Sequence, residues 1–240
     1  MGNEELDQNS YFVLRRTLLE VAAHSKQLPS SAFVTGMKCK NRDSVAGGAF
    51  ADIFRGKLGP TLVALKRLRV FRDYPSSDAS ILVSKFCREA LVWHLVKHDH
   101  ILPLLGIDNT TFAPHYCMVA PWLVGGHILK FIKSNMNSDP DPLLLHQWIL
   151  EILFGLEYLH SEHIVHGDLR SPNILIDDEL HIRISDFGLA RLRDALAPPS
   201  TGSSSHTNPR WLAPEVFTGK SPMSFQSDIY AFGCVWNRGV

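Results

Sequence analysis

Apolar positions recur at helical spacing in four segments of the chain and alternate at strand spacing between them. Residues 9–24 carry Leu14, Leu18, Leu19 and Ala22 at helical spacing, which predicts a short helix ended by Pro29 and the Ser30-Ser31 pair, with its apolar stripe packed on the body of the protein. Across 44–71 the pattern changes: SVAGGAF leads into the alternating ADIFRGKLGPTLVALKRL, where Gly56, Gly59 and Pro60 break two strands into a hairpin. Residues 80–97 predict a second helix with Phe86, Ala90, Trp93 and Leu95 among its apolar positions, and ILPLLGI and HYCMVAPW then read as buried strands. After Gly125-Gly126 the chain becomes helical. In 143–159, Leu145, Trp148, Ile149, Ile152, Leu153, Leu156 and Leu159 form a broad apolar face. Ile174–Ile176 and His181–Ile184 predict a small strand pair, 191–209 a mobile Ser/Pro/Gly-rich loop, and the stretch from Ser227 a last helix. No internal repeat is visible. The strand-rich half gives way to the helical half near 123–126, dividing the chain into an extension at 1–42, a first unit at 43–124 and a second at 125–240.

Composition narrows the class. A chain of 240 residues with 45% hydrophobic content supports a large core. Lys plus Arg (24) balance Asp plus Glu (24), which argues against a general nucleic-acid surface. Cys39, Cys87, Cys117 and Cys234 are far apart and lack metal-ligand spacing, so they read as reduced thiols of an intracellular, cytoplasmic protein. No apolar run is long enough to span a bilayer, the start MGNEEL lacks the basic flank of a signal peptide, and Leu6 disfavours myristoylation at Gly2. The expectation is therefore no nucleic-acid and no membrane partner.

The chemistry concentrates in HGDLRSPNILI, residues 166–176, where Asp168, Arg170 and Asn173 crowd against an apolar strand. Asp, Ser, Pro and Asn are ordinary turn formers, and a turn alone would explain them. Other positions supply partners. Lys66 lies on the strand Val63-Ala-Leu-Lys66, Glu89 in the following helix, and Asp186 in Asp186-Phe-Gly188 beyond the strand pair. Together these residues supply what phosphoryl transfer needs. In that arrangement Glu89 would hold Lys66 on the nucleotide phosphates, Asp186 would hold Mg²⁺, Asn173 would hold a second Mg²⁺ or complete the first, and Asp168 would orient a hydroxyl and take its proton.

VALK, HGDLRSPN, DFG, Ala213-Pro-Glu215 and SDIYAFG (Ser227–Gly233) occur in one order at suitable spacing. On these pieces the chain resembles the eukaryotic protein kinases over roughly 43–236, and most of all the tyrosine-kinase-like serine/threonine kinases of fungi, through HGDLR, RWLAPE and SDIYAFG. The resemblance implies an α+β bilobal fold: an antiparallel sheet plus helix in a small lobe, then a mainly helical large lobe. It implies ATP and Mg²⁺ as cofactors and a protein substrate. Val45, Gly48 and Ala64 would cover the nucleotide from above and Leu175 from below. Ala120 would take the gatekeeper place, with Pro121-Trp122-Leu123 as hinge; Pro121 would offer its carbonyl and Leu123 its N–H to adenine. Phe187 and His166 would stack with Trp93, Asp228 would fix the catalytic turn, and Arg170 would put a positive charge near the transferred phosphate.

The chain also departs from that pattern. In Ala46-Gly-Gly48-Ala-Phe50-Ala51 only the middle glycine of the expected GxGxxG remains, which restricts backbone freedom around the phosphates. Gly167 stands where the family has an Arg that pairs with a phosphorylated loop, so phosphorylation of 200–207 is expected to do little. Arg170 replaces a Lys and Asn208 a Thr, which bear on Ser/Thr against Tyr preference and on substrate positioning. The sequence stops at CVWNRGV, where the family continues with further helices. The expectation is an incomplete large lobe, a buried Glu215 without its usual Arg, and a partly uncovered 143–159 face, which implies instability, aggregation or a protein partner covering it. Two readings follow: a kinase acting on protein Ser/Thr, or a non-catalytic pseudokinase or scaffold. The Ala213-Pro-Glu215 segment disfavours a small-molecule kinase.

Overall fold

A computed structural model describes residues 7–47, 51–68, 76–135, 141–187, 190–192 and 209–237. Gly48, Gly188, Asn208 and nearly all of the Ser/Pro/Gly-rich loop with its Ser and Thr positions lie outside the described residues.

Helix α1 (Gln8–Ser25) starts where the Asp7 carboxylate accepts the Ser10 N–H at 2.7 Å. It runs one residue past the expected 24 and is stopped not by Pro29 but by Lys26, whose backbone is left-handed (φ 56°). Leu19 and Ala22 are buried, but Leu14 and Leu18 are 53% and 40% exposed. The buried face turns instead through Arg15, Leu19 and Ala22, because only one edge of the apolar stripe meets the body.

Strands β1 (Met37–Lys38), β2 (Ala46–Gly47), β3 (Ala51–Leu58), β4 (Thr61–Leu68), β5 (Gly106–Asp108) and β6 (Cys117–Pro121) form one antiparallel sheet in the order β1-β3-β4-β6-β5, with β2 on β3. The β3–β4 hairpin turns at Gly59, whose φ of 58° suits a residue without a side chain. Gly56 does not break the strand. It lies inside β3, where an added Cβ would sit 2.7 Å from Leu65 Cδ1 and 3.1 Å from the Lys38 carbonyl oxygen, so its role is close packing. Alternation along β4 buries Val63 and Leu65 on the outer face with Phe54, Phe112, Cys117 and Val119. Ala64 and Lys66 therefore face the other way. All four cysteines are free, and burial pushes the Cys117 thiol up to about 12.

Helix α2 (Ser76–Leu95) begins before the expected residue 80 and ends before 97. It buries Phe86, Cys87, Ala90, Leu91 and Trp93 behind the sheet, and the Trp93 indole N–H donates to the Leu102 carbonyl at 2.6 Å. Beyond β6 follow β7 (Gly126–His127), α3 (Ile128–Asn135), α4 (Pro142–Ser161), β8 (Ile164–Val165), β9 (Ile174–Ile176), β10 (Ile182–Ile184), β11 (Arg191–Leu192), α5 (Pro214–Phe217) and α6 (Phe225–Asn237). Strands β10-β9-β7 form one small sheet and β11-β8 another, so His181 precedes its strand rather than opening it. Pro142 at the start of α4 and the Asp141 carboxylate, accepting the Leu143 N–H at 2.9 Å, cap that helix. The main core runs from α1 and α2 through Ile174, Ile176, Ile182 and Ile184 to Trp148, Ile152, Leu156 and Leu159 of α4 and Val235 of α6. On the opposite side of α4, Leu150 and Phe154 remain exposed. Glu215 is partly exposed rather than buried. This curled antiparallel sheet followed by a mainly helical part is the bilobal α+β arrangement that the motifs imply.

Nothing in the periodicity of α4 announces the buried Glu151. Its carboxylate accepts the Ile182 N–H at 2.7 Å, meets His181 Nδ1 at 2.5 Å and accepts Gln147 Nε2 at 2.8 Å, fastening α4 to β10. Burial opposes the Glu151 charge, but these donors hold its pKa below the ordinary 4.5. The Glu151 hydrogen bond raises His181 above its ordinary 6.5, against a smaller effect of burial. The carboxylate contribution is complete above about pH 4.5 and fades as pH falls through the lowered folded value; the imidazolium contribution is complete below about pH 6.5 and fades as pH rises through the raised one. Glu151→Gln is therefore expected to lower the melting temperature most between about pH 4.5 and 6.5, and least in stronger acid. Thermal unfolding of both proteins from acid to neutral pH checks this; a gap independent of pH contradicts it.

Candidate active site

Lys66 Nζ lies 2.6 Å from Glu89 Oε1 and 2.6 Å from Asp186 Oδ1. Three independent elements converge here: β4 turns Lys66 inward by alternation, α2 presents Glu89 from its packed face, and Asp186 follows β10 with φ 71°. Burial works against the Lys66 ammonium, but the Asp186 and Glu89 carboxylates outweigh it and hold its pKa above the ordinary lysine value. The lysine is charged at any physiological pH.

The turn after β8 supplies the second group. Asn173 Nδ2 donates to the Asp168 carbonyl at 2.8 Å and to Asp168 Oδ2 at 3.1 Å. With its amide nitrogen so engaged, Asn173 keeps its amide oxygen as a hard donor. Arg170 Nε is 3.3 Å from Asp168 Oδ2, an ion pair without an aligned hydrogen bond. Burial raises the Asp168 pKa, opposed first by Arg170.

The two groups are joined through Ser185. Its N–H donates to the Asn173 carbonyl at 2.8 Å and its hydroxyl to the same oxygen at 3.1 Å, which sets Asp186 beside the Asp168–Asn173 turn. Sequence reading missed Ser185; a polar residue at a strand end carries no signal of its partner. Asp228, only 1% exposed, accepts the His166 N–H and the Gly167 N–H at 2.9 Å each, and His160 Nε2 lies 2.9 Å from the same carboxylate. Phe187 packs against Trp93 (centroids 6.0 Å) and His166 (5.5 Å) in tilted rather than stacked geometry.

Gly167 has φ 77°, a conformation that costs a residue with a Cβ. Gly167→Ala is expected to lower unfolding free energy by roughly 1–2 kcal/mol. Denaturant unfolding measures it, and an unchanged midpoint contradicts a strained turn.

The remaining predicted positions are placed as follows. Ala64 pairs with Ala120 and Val63 with Pro121 across β4–β6, and the Trp122 N–H donates to the Leu62 carbonyl at 3.0 Å. Leu123 and Leu175 both pack against the main core. Val45 is tied to Ile53 by a 2.9 Å backbone bond and leaves its side chain half exposed, and Gly48 lies outside the described residues. Asp168 also lines a small cavity, together with Leu169, Trp211, Leu212, Ala213 and Met223.

Among the described residues no cluster of three or more His, Cys, Asp or Glu side chains forms a metal cage. Asp186 and Asn173 instead offer one carboxylate and one amide oxygen. Such a sparse oxygen set suits an ion that keeps waters and takes its other ligands from phosphates, as Mg²⁺ does. Also among the described residues, no helix is long and apolar enough to cross a membrane.

Comparison with known proteins agrees with this geometry. The chain is 28% identical over 191 residues to the Arabidopsis thaliana serine/threonine-protein kinase STY46, covering 80% of this chain and 31% of that protein. It is 31% identical over 193 residues to the Caenorhabditis elegans mitogen-activated protein kinase kinase kinase dlk-1, covering 80% of this chain and 18% of the relative. It is 30% identical over 215 residues to the Dictyostelium discoideum dual specificity protein kinase zakA, covering 82% and 26%. The chain thus spans about a third or less of the length of these curated relatives. The family model described as protein tyrosine and serine/threonine kinase matches residues 39–237, and the chain belongs to that family.

Proposed function

We propose that this kinase domain transfers the γ-phosphate of Mg·ATP to Ser or Thr hydroxyls of proteins. The observation that carries the reading is Lys66, charged and held between Glu89 and Asp186 at 2.6 Å each, with the Asp168–Asn173 turn beside it. Residues 43–124 act as the small lobe and hinge, 125–240 as the large lobe, and 1–42 as an extension.

Lys66 turns from Asp186 to the α- and β-phosphates while Glu89 keeps its position. Ala64 and Val45 close over adenine, Leu175 supports it from below, and the Pro121 carbonyl and Leu123 N–H read its edge; Gly48, outside the described residues, is assigned to nucleotide binding by the sequence resemblance alone. The Asp186 carboxylate and Asn173 amide oxygen would hold Mg²⁺, which would supply neutralisation of charge on the phosphate oxygens. Asp168 Oδ accepts the hydrogen bond of the acceptor hydroxyl, aligns its oxygen and receives its proton. Burial, which raises Asp168's pKa, makes it a better proton acceptor, and Arg170 offsets charge near the transferred group. The acceptor segment passes the cavity at Trp211, Leu212 and Ala213.

Relatives such as the serine/threonine-protein kinase STY46 support the serine/threonine preference; the dual specificity protein kinase zakA makes Tyr the alternative acceptor. The full protein incubated with Mg·ATP labelled at the γ position and a mixed protein acceptor tests it by phosphoamino-acid analysis. Label on Ser and Thr is expected. Label chiefly on Tyr overturns the preference, and no label on any acceptor favours the scaffold reading.

A further inference from the structure

Helix α1 touches both halves of the molecule. Leu19 and Ala22 are buried in the core that includes α2, and the Ser84 hydroxyl of α2 donates to the Ala23 carbonyl at 2.8 Å. From Ser84 it is five residues, about 7.5 Å of helix, to Glu89. At its other end α1 reaches the turn between α4 and β8. Arg15 forms an ion pair with Glu162, and the Phe12 ring meets the His163 ring edge-on at 5.0 Å between centroids. Glu162 stands four residues before His166 and six before Asp168.

Arg15 is an unusual residue in this position. Its side chain is 6% exposed, and Glu162 is 29% exposed. A guanidinium is seldom taken out of water without a compensating partner. Among the described residues its Nε has no hydrogen-bond partner, so its burial is matched chiefly by Glu162, and the Tyr11 ring lies 5.4 Å from its Cζ. On the outer face of the same helix Leu14 and Leu18 are half exposed.

We infer that Arg15 is a positioning residue: through Glu162 it straps α1 across both lobes, and the strapped helix holds α2 so that Glu89 stays on Lys66. The strap acts on a phosphoryl-transfer site, so its catalytic consequence rests on the function proposed above, whereas its mechanical consequence does not. Without the pair, α1 loses its hold on the α4–β8 turn, α2 gains freedom to move outward, and the Glu89–Lys66 contact is populated for less of the time. That predicts weaker handling of Mg·ATP with no change in the chemical groups.

The test uses the full protein with Arg15→Ala, the near-isosteric Glu162→Gln, and Leu14→Ser on the exposed face as a control. Amide hydrogen exchange of α1 and of Phe86–Trp93 is read alongside the KM for ATP and kcat. Faster exchange across Phe86–Trp93 is expected in Arg15→Ala and Glu162→Gln, with a KM for ATP raised about two- to thirtyfold. Leu14→Ser should match the wild type. Loosened α1 amides with unaltered exchange in α2 and unaltered KM overturn the inference, as does unaltered exchange of α1 itself. Should Arg15→Ala not fold, Glu162→Gln decides alone, since it removes the charge with almost no change of shape. A wild type that transfers no phosphate while α2 still loosens in the variants defeats the kinase reading and leaves the strap standing.

Discussion

Asp168→Asn is expected to leave the fold and Mg·ATP binding intact while turnover falls about 10²–10⁴-fold, the range that positioned general acid–base groups supply. The substitution is nearly isosteric. Asn keeps an oxygen that can accept from Asn173 Nδ2, now 3.1 Å from Asp168 Oδ2, so the turn retains its internal bonds. What disappears is the charge proposed to orient the acceptor hydroxyl and receive its proton. Asp168 does not contact Lys66, which is engaged by Glu89 and Asp186, so nucleotide affinity should hardly move. The cost belongs in kcat rather than KM for ATP, as for an interaction made mainly in the transition state. Steady-state rates on a Ser/Thr peptide, beside calorimetric ATP titration, measure both. Equal turnover by the two proteins means the proton acceptor lies elsewhere.

Lys66→Met should fail differently. Methionine fills much of the space of the lysine stem but leaves Glu89 and Asp186 without the cation that each meets at 2.6 Å. Two carboxylates then face one another near buried surroundings, and Glu89, 8% exposed, has no easy access to water. Mg·ATP affinity should fall, and phosphoryl transfer should drop about 10²–10³-fold, the usual loss when one preorganised electrostatic contact to a reacting group is removed. Calorimetry and the peptide assay read the two effects. Wild-type affinity together with wild-type turnover removes Lys66 from the site. The contrast between the two variants is informative: Lys66→Met changes affinity and rate, Asp168→Asn rate alone.

Much of this site was legible because its residues sit on strong local patterns. Alternation in β4 sets Lys66 opposite Val63 and Leu65, and the apolar run Ile174–Ile176 anchors the turn that carries Asp168 and Asn173. The expected contacts of Asp228 with the turn and of Phe187 with Trp93 and His166 are present. Other features depend on which elements meet, and periodicity does not encode that. Leu14 and Leu18 fit a helical stripe yet stay exposed, because α1 docks along its Arg15–Leu19–Ala22 edge. Gly56 looked like a strand breaker and is a packing glycine, since only the fold brings Leu65 and Lys38 against it. Glu151 and Ser185 gave no signal because their partners, Ile182 and Asn173, are distant in sequence.

The central claim is that Lys66, Glu89, Asp168, Asn173 and Asp186 form one site that moves phosphate from ATP to protein. The most direct measurement is a single turnover with the full protein in excess over Mg·ATP labelled at the γ position, quenched at intervals in the presence of a protein acceptor. The account predicts that bound label passes to the acceptor with first-order kinetics, and that this passage is nearly abolished in Asp168→Asn although the nucleotide is still bound. Label that stays on ATP, or leaves only as free phosphate, would contradict it.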